Sequence, residues 1–336
     1  MSDLKDKRWR PLRDLRISVT DRCNHRCRYC MPREHFGPGH TYLDRSDLLD
    51  FEELTRLASI FTELGVRKIR LTGGEPLLRR GLPLLVEQLK VTTGIQIAMT
   101  TNGSLLAAHA ESLKAAGLDR VTVSLDSLHD ASFQAINDVD FGVDRVLQGI
   151  DAALRADLRP VKINAVIKRG VNDSQLVELA SYARERGITL RLIEFMDVGG
   201  TNRWNRQEVV GASEMLATIG AAFPLREAPP QAVGEVARRY AYLDGSGELG
   251  IIASVSAPFC GSCSRARISA DGKLFTCLFA SSGLDLRRPL REGASNSDLR
   301  ALISATWSRR DDRYSELRRR RKTLAAEPVE MSYIGG

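Results

Sequence analysis

The chain has 336 residues, 43% hydrophobic and 27% charged, with a formal net charge of +7. That is room for one large barrel with an appendage, or for two domains, in an ordinary globular composition. No stretch approaches the ~20 apolar residues of a membrane span, and the charged segment from Met1 to Arg13 lacks an apolar signal core, so no membrane partner and a cytoplasmic location are expected. The positive balance suits an anionic ligand.

Residues 1–13 read as a polar lead-in. Apolar, β-branched runs then recur at 15–19, 68–72, 96–101, 120–125, 161–167 and 189–195, separated by longer stretches of helical periodicity such as Leu54, Leu57, Ile60, Phe61 and Leu64. Gly65, Gly94, Gly117 and Gly187 stand where those helices should stop. Strand–helix repeats imply a parallel sheet. Six are too few for a closed eight-stranded barrel, so the reading is an α/β protein with an open, partial (βα)6 TIM-type barrel. The alternation fades after about residue 197. Asp197 to Asn205 is a Gly-rich loop and Pro224 to Gly234 is Pro-rich. Tyr240 to Gly250 suggests a hairpin turning at Asp244-Gly245, and short strands are expected near 251–255, 266–270 and 273–277. The predicted division is a barrel over 1–214 and a smaller C-terminal α+β domain over 215–336 that covers its open side. Ser308 to Lys322 is strongly basic. It lacks interleaved aromatics of the kind that stack on single strands, so a solvated helix face is expected there and no nucleic-acid partner. Trp307 and Tyr314 are candidate anchors for that segment.

The six cysteines fall as two triplets, 23/27/30 and 260/263/277. In a cytoplasmic chain such clustering favours metal over disulfides. Cys23, Cys27 and Cys30 are spaced C-x3-C-x2-C, with Tyr29 before the last. A four-iron cubane takes one protein ligand per iron, so three cysteines leave one iron open to a small molecule. Zinc, with His25 as fourth ligand, is the alternative. Cys260, Cys263 and Cys277 are spaced C-x2-C-x13-C, and all five histidines lie at or before His129, so no nearby His completes a zinc tetrahedron.

Residues at the C-terminal ends of parallel strands converge on one site. The candidates are Gly73, Gly74 and Glu75, then Thr101 and Asn102, Ser124 and Asp126, and Glu194 and Met196. Arg16, Arg70, Lys162 and Arg191 stand inside strands, where cations are rare unless they meet a partner. Either each turns outward or pairs with a carboxylate, or they converge as a cationic funnel suited to a nucleoside triphosphate. There is no Walker-type phosphate loop. Arg265 and Arg267, between Cys263 and Cys277, share a strand face.

C-x3-C-x2-C with an aromatic before its third cysteine resembles the radical S-adenosylmethionine (SAM) superfamily, and Gly73-Gly74-Glu75-Pro76 is similar to that family's GGEP element after the second barrel strand. From Leu15 to Gly336 the chain resembles, within that superfamily, the GTP 3′,8-cyclase family, radical SAM lyases that open molybdenum cofactor biosynthesis. C-x2-C-x13-C with Ser264-Arg265-Ala266-Arg267 inside it, and the closing Gly335-Gly336, are similar to that family's C-terminal site.

The resemblance implies two [4Fe-4S] clusters, SAM as cofactor, and GTP as substrate. It assigns the first cluster to Cys23, Cys27 and Cys30 and the second to Cys260, Cys263 and Cys277. Tyr29, Gly74, Ser124 and Met196 match positions that contact SAM. Arg16, Arg70, Thr101, Lys162, Arg265, Ala266 and Arg267 match positions at the GTP. Arg265, Arg267, Gly335 and Gly336 join the first three cysteines in the catalytic set. Asn137, Asp138 and Arg191 also look typical of the family, without an assigned role. An external electron donor, a homodimer, and hand-over of product to cyclic pyranopterin monophosphate synthase complete the expectation. Two other classes stay open: a radical SAM enzyme with an auxiliary cluster acting on a peptide, and a non-catalytic zinc protein that binds nucleic acid.

Overall fold

The computed structural model of the chain describes residues 4–232, 234–318 and 328–336. Six strands fall where the β-branched runs stand: β1 (Asp14–Ser18), β2 (Lys68–Thr72), β3 (Gln96–Thr101), β4 (Arg120–Ser124), β5 (Lys162–Ile167) and β6 (Thr189–Glu194). The rest of the chain adds β7 (Leu225–Ala228), β8 (Arg238–Tyr242), β9 (Glu248–Ile252), β10 (Arg265–Ile268), β11 (Lys273–Phe275) and β12 (Leu284–Asp285). They form one sheet in the order β12-β11-β10-β1-β2-β3-β4-β5-β6-β9-β8-β7. From β10 through β9 every pairing is parallel, and the outer pairings at both ends are antiparallel.

Side chains alternate across each strand. Leu15 and Ile17, Ile69 and Leu71, Ile97 and Met99, Val121 and Val123, and Leu190 and Leu192 all face one continuous apolar core shared with the helices. Local signals start and stop those helices. Asp50 and Glu53 form a reciprocal capping box at the start of the helix Phe51–Glu63. The four predicted stop glycines, 65, 94, 117 and 187, all adopt positive φ. Among the described residues, no helix is long and apolar enough to cross a membrane.

The region after residue 197 extends the barrel sheet instead of building a sheet of its own. β10 pairs with β1 and β9 with β6, so both edges of the partial barrel are taken up by later chain. The predicted hairpin is β8–β9, and the turn at Asp271-Gly272 joins β10 to β11. The lead-in is folded and not merely polar: Asp6, Arg10 and Leu12 are buried. The basic segment also departs from a solvated helix face. The helix Asn296–Ser308 ends at its first residue and a short helix Tyr314–Leu317 lies within it, but Arg310 is buried and Arg318 pairs with Asp197 at 2.7 Å. Burial of Trp307 and the 2.8 Å bond from the Tyr314 hydroxyl to Asp197 anchor it. Arg319 to Lys322, most of its basic run, lie outside the described residues.

Glu194 joins the two regions. Fully buried at the end of β6, it accepts bonds from the backbone N–H groups of Ala212 (2.8 Å), Val255 (2.7 Å) and Ser256 (2.8 Å), and from the Ser256 hydroxyl. This strand-end carboxylate therefore serves the scaffold. Glu194→Ala should lower the free energy of unfolding by about 3 kcal/mol or more, since each buried donor left without an acceptor costs about 1–3 kcal/mol. Chemical denaturation checks this. Glu194→Gln, which keeps one acceptor, should lose less, and an unchanged midpoint for the alanine variant would remove Glu194 from the joint.

Candidate active site

One cavity, with about 290 Å³ for the centres of water-sized molecules, is enclosed by the barrel strands and the later chain. All six cysteines line it. Cys23, Cys27 and Cys30 sit on the loop after β1, which is locked to the loop after β2 by Gly74 N–H on Thr20 O and Glu75 N–H on Arg22 O, both 2.8 Å. A Cβ on Gly73 would lie 2.4 Å from Thr20 O, and one on Gly74 would lie 2.3 Å from Arg22 O. Gly73 also holds φ at 151°. Only glycine allows the two backbones to approach this closely. The Glu75 carboxylate faces the other way, accepting from Leu77 N–H (3.0 Å), the Thr101 hydroxyl (2.7 Å) and Asn102 N–H (2.7 Å). It ties the loops after β2 and β3 together beside the first cysteines.

His25 lines the cavity, and its buried Nε2 has no partner among the described residues. Its ring packs on Phe133 and Phe141 at centroid distances of 6.0 and 5.5 Å, and burial lowers its pKa to about 4. Asn137, in contact with Cys27 Sγ at 3.1 Å, is a neighbour of the cysteine loop, and Asp138 pairs with Arg33. Tyr29 donates to Asp126 Oδ2 at 2.7 Å; burial pushes the Asp126 carboxyl up to about 6 despite that bond. Tyr29, Gly74, Ser124 and Met196, from four separate loops and strand ends, all line the cavity.

Strand register places the cations. Arg267, Arg16 and Arg70 are neighbours in one row across β10, β1 and β2, which continues through Ala98 to Arg120 on β4. Arg16, Arg70, Arg191, Arg265 and Arg267 all line the cavity. Arg70 is steadied by the hydroxyls of Thr100 (2.9 Å) and Thr122 (3.3 Å). Among the described residues, no carboxylate forms an ion pair with Arg16, Arg70, Arg191 or Arg267. Burial, then repulsion from Arg265, lowers Arg16 to about 10. Burial, then Arg16 and Arg191, lowers Arg70 to about 9. Arginine stays charged in proteins, so these depressions reflect the cost of burying the charge first and repulsion second, and an anion would offset both. Lys162 lies beside this wall and does not line the cavity; burial, then Arg191 and Arg120, lowers it to about 8.

On the opposite side, Arg265 reaches Cys263 Sγ at 3.4 Å and Arg310 reaches it at 3.2 Å. Burial resists the Cys263 thiolate, but the two guanidinium groups outweigh it and bring the thiol down to about 6. Ala266, between the two arginines, turns into the apolar core and does not line the cavity. Gly335 holds φ at 77° with its carbonyl on Arg267, and Gly336 lines the cavity beside Met331. A Cβ at Gly335 would lie 2.2 Å from Thr72 Cγ2.

Both cysteine triplets suit clusters. Each presents three thiols to a shared cavity, and buried guanidinium nitrogens without partners, Arg10 Nη2 and Arg265 Nε, belong to residues lining the same cavity. Among the described residues no three Cys, His, Asp or Glu side chains are grouped to share one metal ion. A cubane takes one thiolate per iron and does not need such a group. The residues that sequence reasoning missed are Arg10, Arg120 and Arg310. Arg120 carried the same signal as Arg16, a cation at an inward strand position. Arg10 and Arg310 carried none, because their partners are distant in sequence.

Residues 17–183 match the radical SAM superfamily, and residues 188–316 match the family described as Molybdenum Cofactor Synthesis C. The fold agrees: the SAM-bound crystal structure of SuiB from Streptococcus suis matches 87% of this chain and 68% of its own with a TM-score of 0.61 at 15% identity. The protein is thus a radical SAM enzyme, a class that works with SAM and [4Fe-4S] clusters. A protein of Acidothermus cellulolyticus named GTP 3′,8-cyclase is 52% identical, with 99% of each chain covered, and one of Staphylococcus epidermidis with the same name is 48% identical at the same coverage. The chain belongs to the GTP 3′,8-cyclase family.

Burial raises the Glu75 carboxyl from 4.5 to about 7, against the lowering effect of its three hydrogen bonds. The folded chain therefore holds this proton more tightly than the unfolded one. The stability it contributes is full below about pH 4.5 and is lost as pH rises through about 7, a change of about 3 kcal/mol. The metal-free chain should show this decline in urea titrations across that range, and Glu75→Gln should flatten it. Parallel slopes in the two proteins would contradict the burial argument.

Proposed function

We propose that the protein converts GTP to (8S)-3′,8-cyclo-7,8-dihydroguanosine 5′-triphosphate, the first step of molybdenum cofactor biosynthesis. The observation that carries this reading is a cavity with three cysteines on each of two walls and, between them, a row of arginines that form no ion pair with a carboxylate among the described residues. A triphosphate brings the missing negative charge, and guanidinium forks fit phosphate oxygens.

Cys23, Cys27 and Cys30 hold the first cluster, with Tyr29, Gly74, Ser124 and Met196 around SAM. When bound, these groups supply a 5′-deoxyadenosyl radical that takes the 3′ hydrogen of GTP so that C3′ can close on guanine C8. Arg16, Arg70, Thr101, Lys162, Arg265, Arg267 and the backbone at Ala266 bind and orient GTP. Cys260, Cys263 and Cys277 hold the second cluster. Gly335 and Gly336 complete the wall and help keep water from the reacting atoms. The division into a barrel over 1–214 and a covering region over 215–336 belongs to this reading. So do a cytoplasmic location, an external electron donor, a homodimeric assembly, and delivery of product to cyclic pyranopterin monophosphate synthase.

Reconstituted anaerobically, the protein should hold about eight irons per chain. With SAM and a reductant it should form 5′-deoxyadenosine together with a product isomeric with GTP by mass spectrometry. Deoxyadenosine with unchanged GTP would overturn the substrate assignment and favour a peptide. Lys162→Ala should raise the KM for GTP about tenfold, the loss of one positive charge beside the arginine wall, while SAM cleavage in the absence of GTP continues. Equal losses in both activities would remove Lys162 from the GTP site.

A further inference from the structure

Asp6, Arg10 and Arg310 form a buried charged cluster that the reaction as described leaves unused. Their side chains are 0%, 1% and 1% exposed. Asp6 Oδ1 accepts the backbone N–H groups of Arg8 and Arg10, both at 2.9 Å. Asp6 Oδ2 takes Arg10 Nε at 2.6 Å and Arg310 Nη1 at 3.3 Å. Both guanidinium groups then reach the second cysteine triplet. Arg10 Nη1 donates to Cys260 O at 2.8 Å and to Asp312 O at 2.7 Å. Arg310 donates through Nη1 to Cys263 O at 2.7 Å and through Nη2 to Cys263 Sγ at 3.2 Å. The Arg310 plane lies over the Trp307 ring at 4.5 Å, and Trp307 Nε1 donates to Arg10 O at 3.2 Å. The other charges packed against the group are Arg265, also on Cys263 Sγ, and Asp312, which meets Arg310 Nε at 3.3 Å and the Thr276 hydroxyl at 2.6 Å.

Burying ions is costly unless their geometry and hydrogen bonds satisfy them. Here the satisfied part is the Asp6 carboxylate. The unsatisfied part is Arg10 Nη2, a buried donor without a partner among the described residues, on a side chain that lines the cavity at the cysteines. A cationic donor left open beside three cysteines suits an anionic cluster. N–H···S bonds and local charge are two of the means by which a protein sets the potential of an iron–sulfur centre.

We infer that Arg310, held in place by Asp6 and backed by Arg10, is a positioning residue for the second cluster, fixing the Cys263 thiolate and raising the cluster's reduction potential through its N–H···S bond. The inference rests on Cys260, Cys263 and Cys277 being cluster ligands. It makes residues 4–13 part of the second site and no longer a lead-in.

The test uses the full chain with Cys23, Cys27 and Cys30 all replaced by alanine, so that only the second cluster remains, at about four irons per chain. If this background takes up no iron, the ligand assignment fails and the inference falls with it. With iron bound, the midpoint potential is read by electron paramagnetic resonance during a redox titration. Arg310→Gln should shift the midpoint downward. Asp6→Asn, which removes the counter-charge and leaves both guanidinium groups, should shift it upward with the same iron content. Arg310→Lys, which keeps the charge but cannot span Asp6 and Cys263 together, should shift it downward by less than the Gln variant. Where Arg310→Gln does not retain its cluster, the opposite signs of Asp6→Asn and Arg310→Lys decide. Shifts of one sign in both, or unmoved potentials with iron retained, would reduce Arg310 to a structural contact.

Discussion

Repulsion among buried guanidinium groups is the constraint around which the site is built. Arg267, Arg16 and Arg70 occupy one register row on three adjacent strands, and burial together with mutual repulsion depresses each of them. Parallel strand neighbours are about 4.8 Å apart, so inward cations in one row cannot escape each other without leaving the sheet. Arg70 meets two threonine hydroxyls and Arg267 the Gly335 carbonyl, and among the described residues none of the three forms an ion pair with a carboxylate. That arrangement suits an anion that arrives from outside, and it explains why a chain without a phosphate-binding loop can still hold a triphosphate.

The scaffold tolerates this because the opposite face of the same strands is apolar throughout. Residues one position away from each inward cation, such as Leu15, Ile17, Ile69, Leu71 and Ala266, are completely buried against the helices. Period-two alternation thus separates two environments on one strand: Leu15 and Ile17 of β1 pack into the core, and Arg16 between them faces the cavity. The cost of the polar lining is met by burial behind it, at about 25 cal/mol per Å² of apolar surface.

Alternation is also why the barrel was legible from residue types alone. Each of the six strands was visible as a β-branched run, each of the four marked glycines as a stop, and both cysteine triplets as spacings. What was not legible depends on contacts distant in sequence. Asp6 and Arg310 are 304 residues apart, and no local pattern reports that they meet. The closure of both sheet edges was hidden for a related reason. β9 and β10 are short strands within hairpin-like signals, and hairpins say nothing about which older strand their free edge will find. Ala266 shows the limit of motif transfer: its backbone stays near the site, but its side chain belongs to the core.

Edge closure also bears on the chemistry. An open six-stranded sheet would expose unpaired backbone along β1 and β6. Here β10 covers β1 and carries Arg265 and Arg267 in with it, while the Cys260–Cys263 turn precedes it and Cys277 follows β11. The pairing that protects the sheet edge is therefore the same pairing that sets the second cysteine triplet across the cavity from the first. Arg267, on that strand, holds the Gly335 carbonyl, and Glu330, a few residues earlier, accepts from Gly200 N–H at 3.0 Å and the Thr201 hydroxyl at 3.1 Å in the loop that follows Met196. The closing segment is thus tied at one end to the second site and at the other to the loop beside the first. A change of register in β10 by one residue would turn Arg265 and Arg267 to the core and Ala266 to the cavity, so the leucine and isoleucine contacts behind the strand hold the substrate face in place.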